Sequence, residues 1–218
     1  MRHRPHVLIA APWSPDVLAV PQEVSHHLGR VLRYAPGDSV SYTDGDGTIG
    51  EGTWNGSSVE RGSERLVPAP RPRVTIAVAP PKARDRQRFL VEKLQELGTH
   101  SLVWIRTERT EGRPPASSKA MAWAAAALEQ SRGAFLMQIS SGRLEHMEGA
   151  LVADAEGRPL IELVPFGKAL SVVIGPEGGL TGSERSALGL SVSIGRTTLR
   201  TETAAVAIVA AINALSES

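Results

Sequence analysis

A glycine-rich loop near the C-terminal end of the chain has the composition of a ligand-binding turn. Residues 174–184, IGPEGGLTGSE, follow a run that predicts a strand and lead into a predicted helix. Thr181 and Glu184 have the spacing of a capping box. Glycines allow a backbone to approach a ligand closely, but they also form ordinary tight turns. The loop matches neither the P-loop nor the dinucleotide-binding pattern, so both interpretations stay open from this loop alone.

A second polar loop repeats this arrangement further along the chain. Residues 194–203, IGRTTLRTET, again follow a predicted strand and precede a predicted helix, for which Thr201 is a candidate cap. Ligands of open α/β sheets bind at the carboxyl ends of strands. Two such loops after consecutive strands are therefore expected to converge on one pocket, which favours a binding site.

The elements that must position these loops alternate between strands and helices. In the segment 85–97, the side chains of Phe89, Leu90, Leu94 and Leu97 predict a buried helix face, and Gly98 predicts its end. The alternation predicts an α/β domain with a mainly parallel sheet. The predicted strands are 74–79, 102–105, 170–174 and 191–194, and the predicted helices are 85–97, 118–131 and 202–215.

A proline-rich linker, residues 66–73, precedes this region, since alternate prolines favour an extended backbone. We therefore predict two domains, 1–70 and 73–218. The first is a small β-rich, barrel-like domain with a strand at 40–42 and a helix at 22–32. Its Asp44-Gly-Asp46-Gly segment superficially resembles a calcium loop. Ile49 stands at the position where a calcium loop requires glycine, so a hairpin turn is expected instead.

Composition narrows the possible chemistry. The chain has no cysteine, which excludes disulfides, thiolate metal sites and cysteine nucleophiles, and its histidines lack metal-ligand spacing, so we expect no metal. No apolar run is long enough for a membrane span or a signal peptide, so we expect a cytoplasmic protein. Residues 73–135 hold 11 of the 24 Lys and Arg residues but 6 of the 23 acidic ones. This basic excess is either a phosphate-binding patch or a solvated helix start.

The two C-terminal loops together resemble the RsmE-type small-subunit ribosomal RNA uridine-N3 methyltransferases. The matching stretches are "IGPEGGLTGSE" (174–184) and "IGRTTLRTETAA" (194–205), although Thr197 stands where the family usually has an arginine. The similarity covers nearly the whole chain. Upstream, "HHLGRVLR" (26–33) with "PGD" (36–38) resembles the N-terminal RNA-binding domain of the family. Weaker matches are "VEKLQELG" (91–98), "TER" (107–109) and "EQSR" (129–132).

This resemblance implies a C-terminal α/β-knot (SPOUT) domain with a trefoil knot and an N-terminal RNA-binding domain of PUA-like type. It also implies a homodimer that uses S-adenosylmethionine to methylate 16S ribosomal RNA in the small subunit. The cofactor-binding positions carried over from the family motifs are Ile174, Gly175, Glu177, Gly178, Gly179, Ile194, Gly195, Leu199, Arg200 and Thr201.

For a methyltransferase, the missing cysteine fits a nitrogen or oxygen target, because methylation of a pyrimidine C5 usually needs a thiolate adduct. Uridine N3 must lose a proton before it becomes a good nucleophile. We expect a carboxylate or water to accept that proton and an arginine to stabilise the uridine anion. Glu202 and Arg200 are the catalytic candidates, with Glu177 behind them; favourable placement of Glu202 in the first turn of a helix is the alternative.

Basic residues in two segments are candidate RNA contacts. Arg30 and Arg33, three residues apart, are expected to share one helical face. Two other functions stay open: a methyltransferase of the same fold acting on another RNA, such as transfer RNA, and a non-catalytic RNA-binding or ribosome-assembly protein. The candidate RNA-binding residues are His27, Arg30, Arg33, Lys82, Arg84 and Arg86.

Overall fold

The structure, a computed structural model, describes residues 4–216. The chain divides into two compact units, Met1–Ala69 with Leu128–Leu136, and Pro70–Ala127 with Met137–Ser218. Each unit has its own sheet. None of the helices formed by residues 4–216 combines the length and the apolar character needed to cross a bilayer.

The first unit is built on a five-stranded sheet in the order β1-β3-β4-β5-β2. Only β1 and β3 are parallel, and the other neighbours are antiparallel. In the turn after β3, Asp44 Oδ1 accepts hydrogen bonds from the amides of Asp46 and Thr48, which confirms the predicted hairpin. The strands are β1 (His6–Leu8), β2 (Val17–Ala19), β3 (Ser39–Thr43), β4 (Thr48–Trp54) and β5 (Ser58–Leu66).

The predicted helix of this unit is present, but it ends differently from the expectation. The helix α1 (Gln22–His26) continues into a π-helical turn, His27–Val31, which buries Leu28 in the core. Arg33 follows the turn with a φ of 56°, in the left-handed region. Arg30 and Arg33 therefore do not share a helical face, and that prediction was wrong.

Residues 128–136 belong to the first unit through specific hydrogen bonds. The Glu129 carboxylate accepts one from the Leu8 amide at 2.9 Å, and the carbonyl of Gly133 accepts one from His6 Nε2 at 3.0 Å. Because the carbonyl can only accept, Nε2 carries the proton, and Nδ1 then accepts from the Ser41 hydroxyl at 2.8 Å.

The second unit is built on a six-stranded sheet in the order β11-β9-β10-β6-β7-β8. All pairs are parallel, which confirms the predicted α/β class. Strands β8 and β9 were not predicted from the sequence, because β8 is mostly polar and only the first three residues of β9 form an apolar run. The strands are β6 (Arg73–Val78), β7 (Ser101–Arg106), β8 (Gln138–Arg143), β9 (Leu151–Pro159), β10 (Ala169–Ile174) and β11 (Ser191–Ser193).

The helices of this unit start at or near the expected residues. In α2 the buried face differs from the prediction: Phe89 is 43% exposed, whereas Val91 and Gln95 are buried. Gln95 tolerates burial because its side-chain oxygen accepts a hydrogen bond from the Met137 amide at 2.8 Å. The helices are α2 (Arg84–Glu96), α3 (Ser117–Ser131, which spans both units), α4 (Gly182–Ser186) and α5 (Thr201–Ser216).

The C-terminal helix returns across the sheet. It starts after the edge strand β11 but packs on α2, β6 and β10. Asn213 fixes its far end by donating a hydrogen bond to the carbonyl of Leu97, at the C-terminus of α2. Because β10 and β6 are in register to their last residues, Ile174 and Val78, the segments that follow these strands lie at the same sheet edge.

Candidate active site at the carboxyl edge of the sheet

A cavity of about 230 Å³ lies at the carboxyl ends of β10 and β11, beside the first half of β9. Both predicted polar loops contribute to its wall, although β9 separates the strands that they follow, and α5 adds Ala204 and Ile208. Eight of the ten residues predicted to bind a cofactor line it: Ile174, Gly175, Glu177, Gly179, Ile194, Gly195, Leu199 and Thr201.

The other two predicted residues, Gly178 and Arg200, do not line this cavity. The carbonyl of Gly178 accepts a hydrogen bond from Arg109 Nη1 at 2.8 Å. Arg200 is exposed, and its carbonyl accepts the amide of Ala204 where α5 begins.

The sequence patterns missed one wall of the cavity, residues 152–155 of β9. At its edge, Asp154 forms an ion pair with Arg185 of α4. Strand β9 has only three apolar residues in a row, at its start, and only the strand order reveals that it lies between β11 and β10. Thr197 also lines the cavity, at the position where the chain departs from the family motif.

The first loop, which we call the glycine loop (residues 175–182), is a tight turn. The amide of Gly179 donates to the carbonyl of Pro176 at 2.8 Å, and Gly179 has a φ of 72°, which favours glycine. The predicted capping box is confirmed: Thr181 accepts from the Glu184 amide, and the Glu184 carboxylate accepts from the Thr181 amide. The loop is therefore both a turn and a cavity wall.

Thr201 connects the two loops. It is the first residue of α5 rather than the cap before it, so the predicted capping role is wrong. Its buried hydroxyl donates a hydrogen bond to the carbonyl of Gly175 at 3.2 Å. This contact attaches the start of α5 to the start of the glycine loop.

Glu177, which lines the cavity, belongs to a cluster of three charged side chains with Arg86 and Glu202. Glu202 is only 6% exposed, and its Oε1 lies 3.6 Å from Arg86 Nε; Arg86 Nη1 lies 3.7 Å from Glu177 Oε1. Within the part of the chain that the structure describes, the buried Oε2 of Glu202 has no hydrogen-bond partner. The structure thus places Arg86, predicted as an RNA contact, beside the carboxylate predicted to be catalytic.

The remaining predicted RNA contacts are exposed. His27 and Arg30 lie on the π-helical turn, and Arg33 follows it. In the second unit, Arg84 begins α2, and Lys82 forms an ion pair with Glu111. Residues 4–216 contain no group of three or more His, Cys, Asp or Glu side chains that could hold a metal ion.

Comparison with known proteins identifies two family domains along the chain. A family model described as an RNA methyltransferase domain matches residues 68–213, and one described as an RNA methyltransferase PUA domain matches residues 20–53. The ribosomal RNA small subunit methyltransferase E of Synechocystis sp. is 30% identical, covering 88% of this chain and 71% of the relative. That of Bacillus subtilis is 26% identical, covering 89% of each chain.

Solved structures share the whole fold. The probable rRNA-methyltransferase from Porphyromonas gingivalis is 28% identical with a TM-score of 0.82, covering 98% of both chains. The ribosomal RNA small subunit methyltransferase E from Neisseria gonorrhoeae, bound to S-adenosyl methionine, is 22% identical with a TM-score of 0.85, also covering 98% of both chains.

The fold and the two-loop cavity define an RNA methyltransferase domain of the α/β-knot class, preceded by a small PUA-like domain. The predicted trefoil-knotted fold class is confirmed. The chain belongs to the ribosomal RNA small subunit methyltransferase E family.

Proposed function

We propose that this protein transfers a methyl group from S-adenosylmethionine to N3 of a uridine in small-subunit ribosomal RNA. The observation that carries the proposal is the cavity into which the glycine loop and the 194–201 segment converge. Support comes from the names of the relatives and from the Neisseria gonorrhoeae structure, which is bound to S-adenosyl methionine.

The residues of the cavity fit this cofactor. Ile174, Ile194 and Leu199 offer apolar surface for a flat heteroaromatic ring, while the glycines expose backbone groups for its polar edge. A Cβ atom added at Gly179 or Gly195 would meet nothing within 4 Å, so space exists beside both backbones. The proposed binding residues are those predicted from the motifs, with Gly178 and Arg200 acting outside the cavity lining.

When bound, S-adenosylmethionine supplies an electrophilic methyl group, and the protein must align the nucleophile with it. We assign Glu202 as the group that accepts the N3 proton, because its Oε2 is buried without a partner in the described residues. Arg86 holds the other carboxylate oxygen. Arg200, exposed at the start of α5, is assigned to the negative charge that develops on the uracil oxygens.

On the RNA side, we propose that exposed basic residues contact phosphates. His27, Arg30 and Arg33 form one such set in the PUA-like unit, and Lys82 and Arg84 form another in the methyltransferase unit. Because Arg86 lies 3.6 Å from Glu202 and 3.7 Å from Glu177, we propose an active-site role for it instead of a phosphate contact. A cytoplasmic location accompanies the proposed ribosomal substrate.

We also propose that the protein is a homodimer formed through an apolar groove beside the edge strand β11. The groove includes Leu160, Ile161, Ala211 and Leu215, and Ile161 is 63% exposed. A second copy would cover this apolar surface and the strand edge. We expect Ala211→Glu to shift the protein from dimer to monomer in light scattering after size exclusion, whereas a wild-type monomer would contradict the proposal.

Methyl transfer tests the proposed activity directly. Purified protein with labelled S-adenosylmethionine should methylate small ribosomal subunits or their RNA, and mass-spectrometric mapping should place the product at uridine N3. In a deletion strain, the same mapping should show one unmodified uridine. Label found only in transfer RNA would instead support another substrate, and cofactor binding without transfer would support an assembly protein.

A further inference from the structure

A short turn directly after β7, residues 107–110, is stiffened by its own side chains. The amide of Thr107 donates to Thr110 Oγ1 at 2.8 Å, and the two hydroxyls lie 2.9 Å apart. The amide of Thr110 donates back to the carbonyl of Thr107 at 3.1 Å. Thr107 is buried, so this 107–110 turn is anchored in the unit.

Two contacts join the 107–110 turn to the glycine loop. Arg109 Nη1 donates to the carbonyl of Gly178 at 2.8 Å, and the amide of Glu108 donates to Glu184 Oε1 at 2.7 Å. The other oxygen of Glu184 accepts the Thr181 amide at 2.9 Å. Partial burial opposes ionisation, but the amides of Thr181 and Glu108 hold the pKa of Glu184 below its ordinary value.

These contacts hold the glycine loop on both sides of its turn. Arg109 turns the Gly178 carbonyl towards the 107–110 turn, and this orients the peptide that leads to Gly179 in the cavity wall. Glu184 fixes the loop where it enters α4.

The glycine loop needs such restraint because of its composition. Four of its eight residues, 175, 178, 179 and 182, are glycine, the residue that loses the most backbone freedom on becoming ordered. A loop ordered before binding does not lose that freedom when the ligand arrives, so its affinity is higher.

We propose that Arg109 and Glu184 are positioning residues that preorganise the glycine loop for its cofactor. The inference rests on the proposed function, because it assumes that the loop binds S-adenosylmethionine. Neither residue touches the reacting atoms in this proposal. Their effect is on cofactor affinity, through the shape of the loop.

The test compares Arg109→Met, Arg109→Lys and Glu184→Gln with a matched control, Arg106→Met, an exposed arginine at the end of the same strand. By calorimetry with S-adenosylmethionine, Arg109→Met and Glu184→Gln should each raise Kd roughly tenfold, the order expected for a hydrogen bond to a charged group. Arg109→Lys, which keeps one donor, should recover part of the loss. The control should bind like the wild type.

Kinetics separate positioning from general damage. In Arg109→Met, KM for S-adenosylmethionine should rise with Kd, while kcat at saturating cofactor should stay within about twofold of the wild type. A variant that is merely misfolded would also have a lower kcat and a higher KM for RNA.

Hydrogen exchange of the ligand-free protein tests whether Arg109 and Glu184 order the loop, separately from whether the loop binds the cofactor. Peptides covering residues 175–184 should exchange faster in Arg109→Met and Glu184→Gln than in the wild type or in Arg106→Met. Unchanged exchange, or faster exchange with wild-type Kd, would overturn the positioning role while leaving the proposed function intact. A wild-type protein that does not bind S-adenosylmethionine would overturn both.

Discussion

Replacing Glu202 with glutamine tests the chemistry of the charged cluster. The two side chains have nearly the same shape, so the buried site should not repack, but glutamine cannot accept the N3 proton. General-base catalysis contributes about 10²–10⁴-fold in rate. We therefore expect kcat to fall by at least about a hundredfold, equivalent to about 2.7 kcal/mol in the activation free energy.

The same substitution should have little effect on folding. At 3.6 Å and an effective dielectric constant of about 20, the Arg86–Glu202 attraction is roughly 5 kcal/mol before desolvation. The Arg86 side chain is 36% exposed and also faces Glu177, so solvent screening reduces the net contribution to about 1 kcal/mol. A large loss of rate with a small change in unfolding free energy is the expected signature.

The assay is single-turnover methyl transfer to purified small ribosomal subunits at saturating S-adenosylmethionine, with Kd measured separately by calorimetry. Asp85→Asn is the control, because it removes an exposed charge beside Arg86 in the first turn of α2. It should retain wild-type turnover. Near-normal turnover in Glu202→Gln would eliminate the base role and leave Glu202 as a residue that stabilises the start of α5.

Two further predictions concern stability. Gly112→Ala should strongly destabilise the second unit in thermal unfolding, because its Cβ would lie 2.0 Å from the carbonyl oxygen of Pro80; Gly182→Ala, with open space, should not. Burial lowers the pKa of His6 below 6.5, an effect that its hydrogen bond to Gly133 only partly offsets. The unfolded chain then binds the proton more readily, so unfolding free energy should fall as pH drops below about 6.5. In denaturant melts His6→Gln should reduce this pH dependence, and an equal dependence in both proteins would refute the assignment.

Local patterns in the sequence were sufficient for the elements that are apolar or end in clear signals. The strand ending at Ile174 and the helix ending before Gly98 were predicted within a residue or two. The face of α2 was predicted less well, because Gln95 is buried through a hydrogen bond to a distant backbone amide. Periodicity of apolar residues cannot anticipate such a partner.

Strands β8 and β9 were not predicted, for a different physical reason. The edge strand β8 is mostly exposed, and the C-terminal half of β9 is exposed although β11 pairs with it. Backbone pairing holds such strands whatever their side chains, so apolar alternation is absent. Since β9 supplies one wall of the cavity, the motifs could predict the two loops but not Asp154.

The position of Arg86 shows why its contacts in the site could not be predicted from its neighbours in the sequence. In the sequence it belongs to a basic run, which indicates phosphate binding. The parallel register brings the ends of β6 and β10 to one edge, which places the start of α2 beside the glycine loop. The return of α5 over β6 and α2 then brings Glu202 to the same point. The cluster therefore depends on the path of the C-terminal segment, which brings two carboxylates to the partly exposed Arg86 side chain.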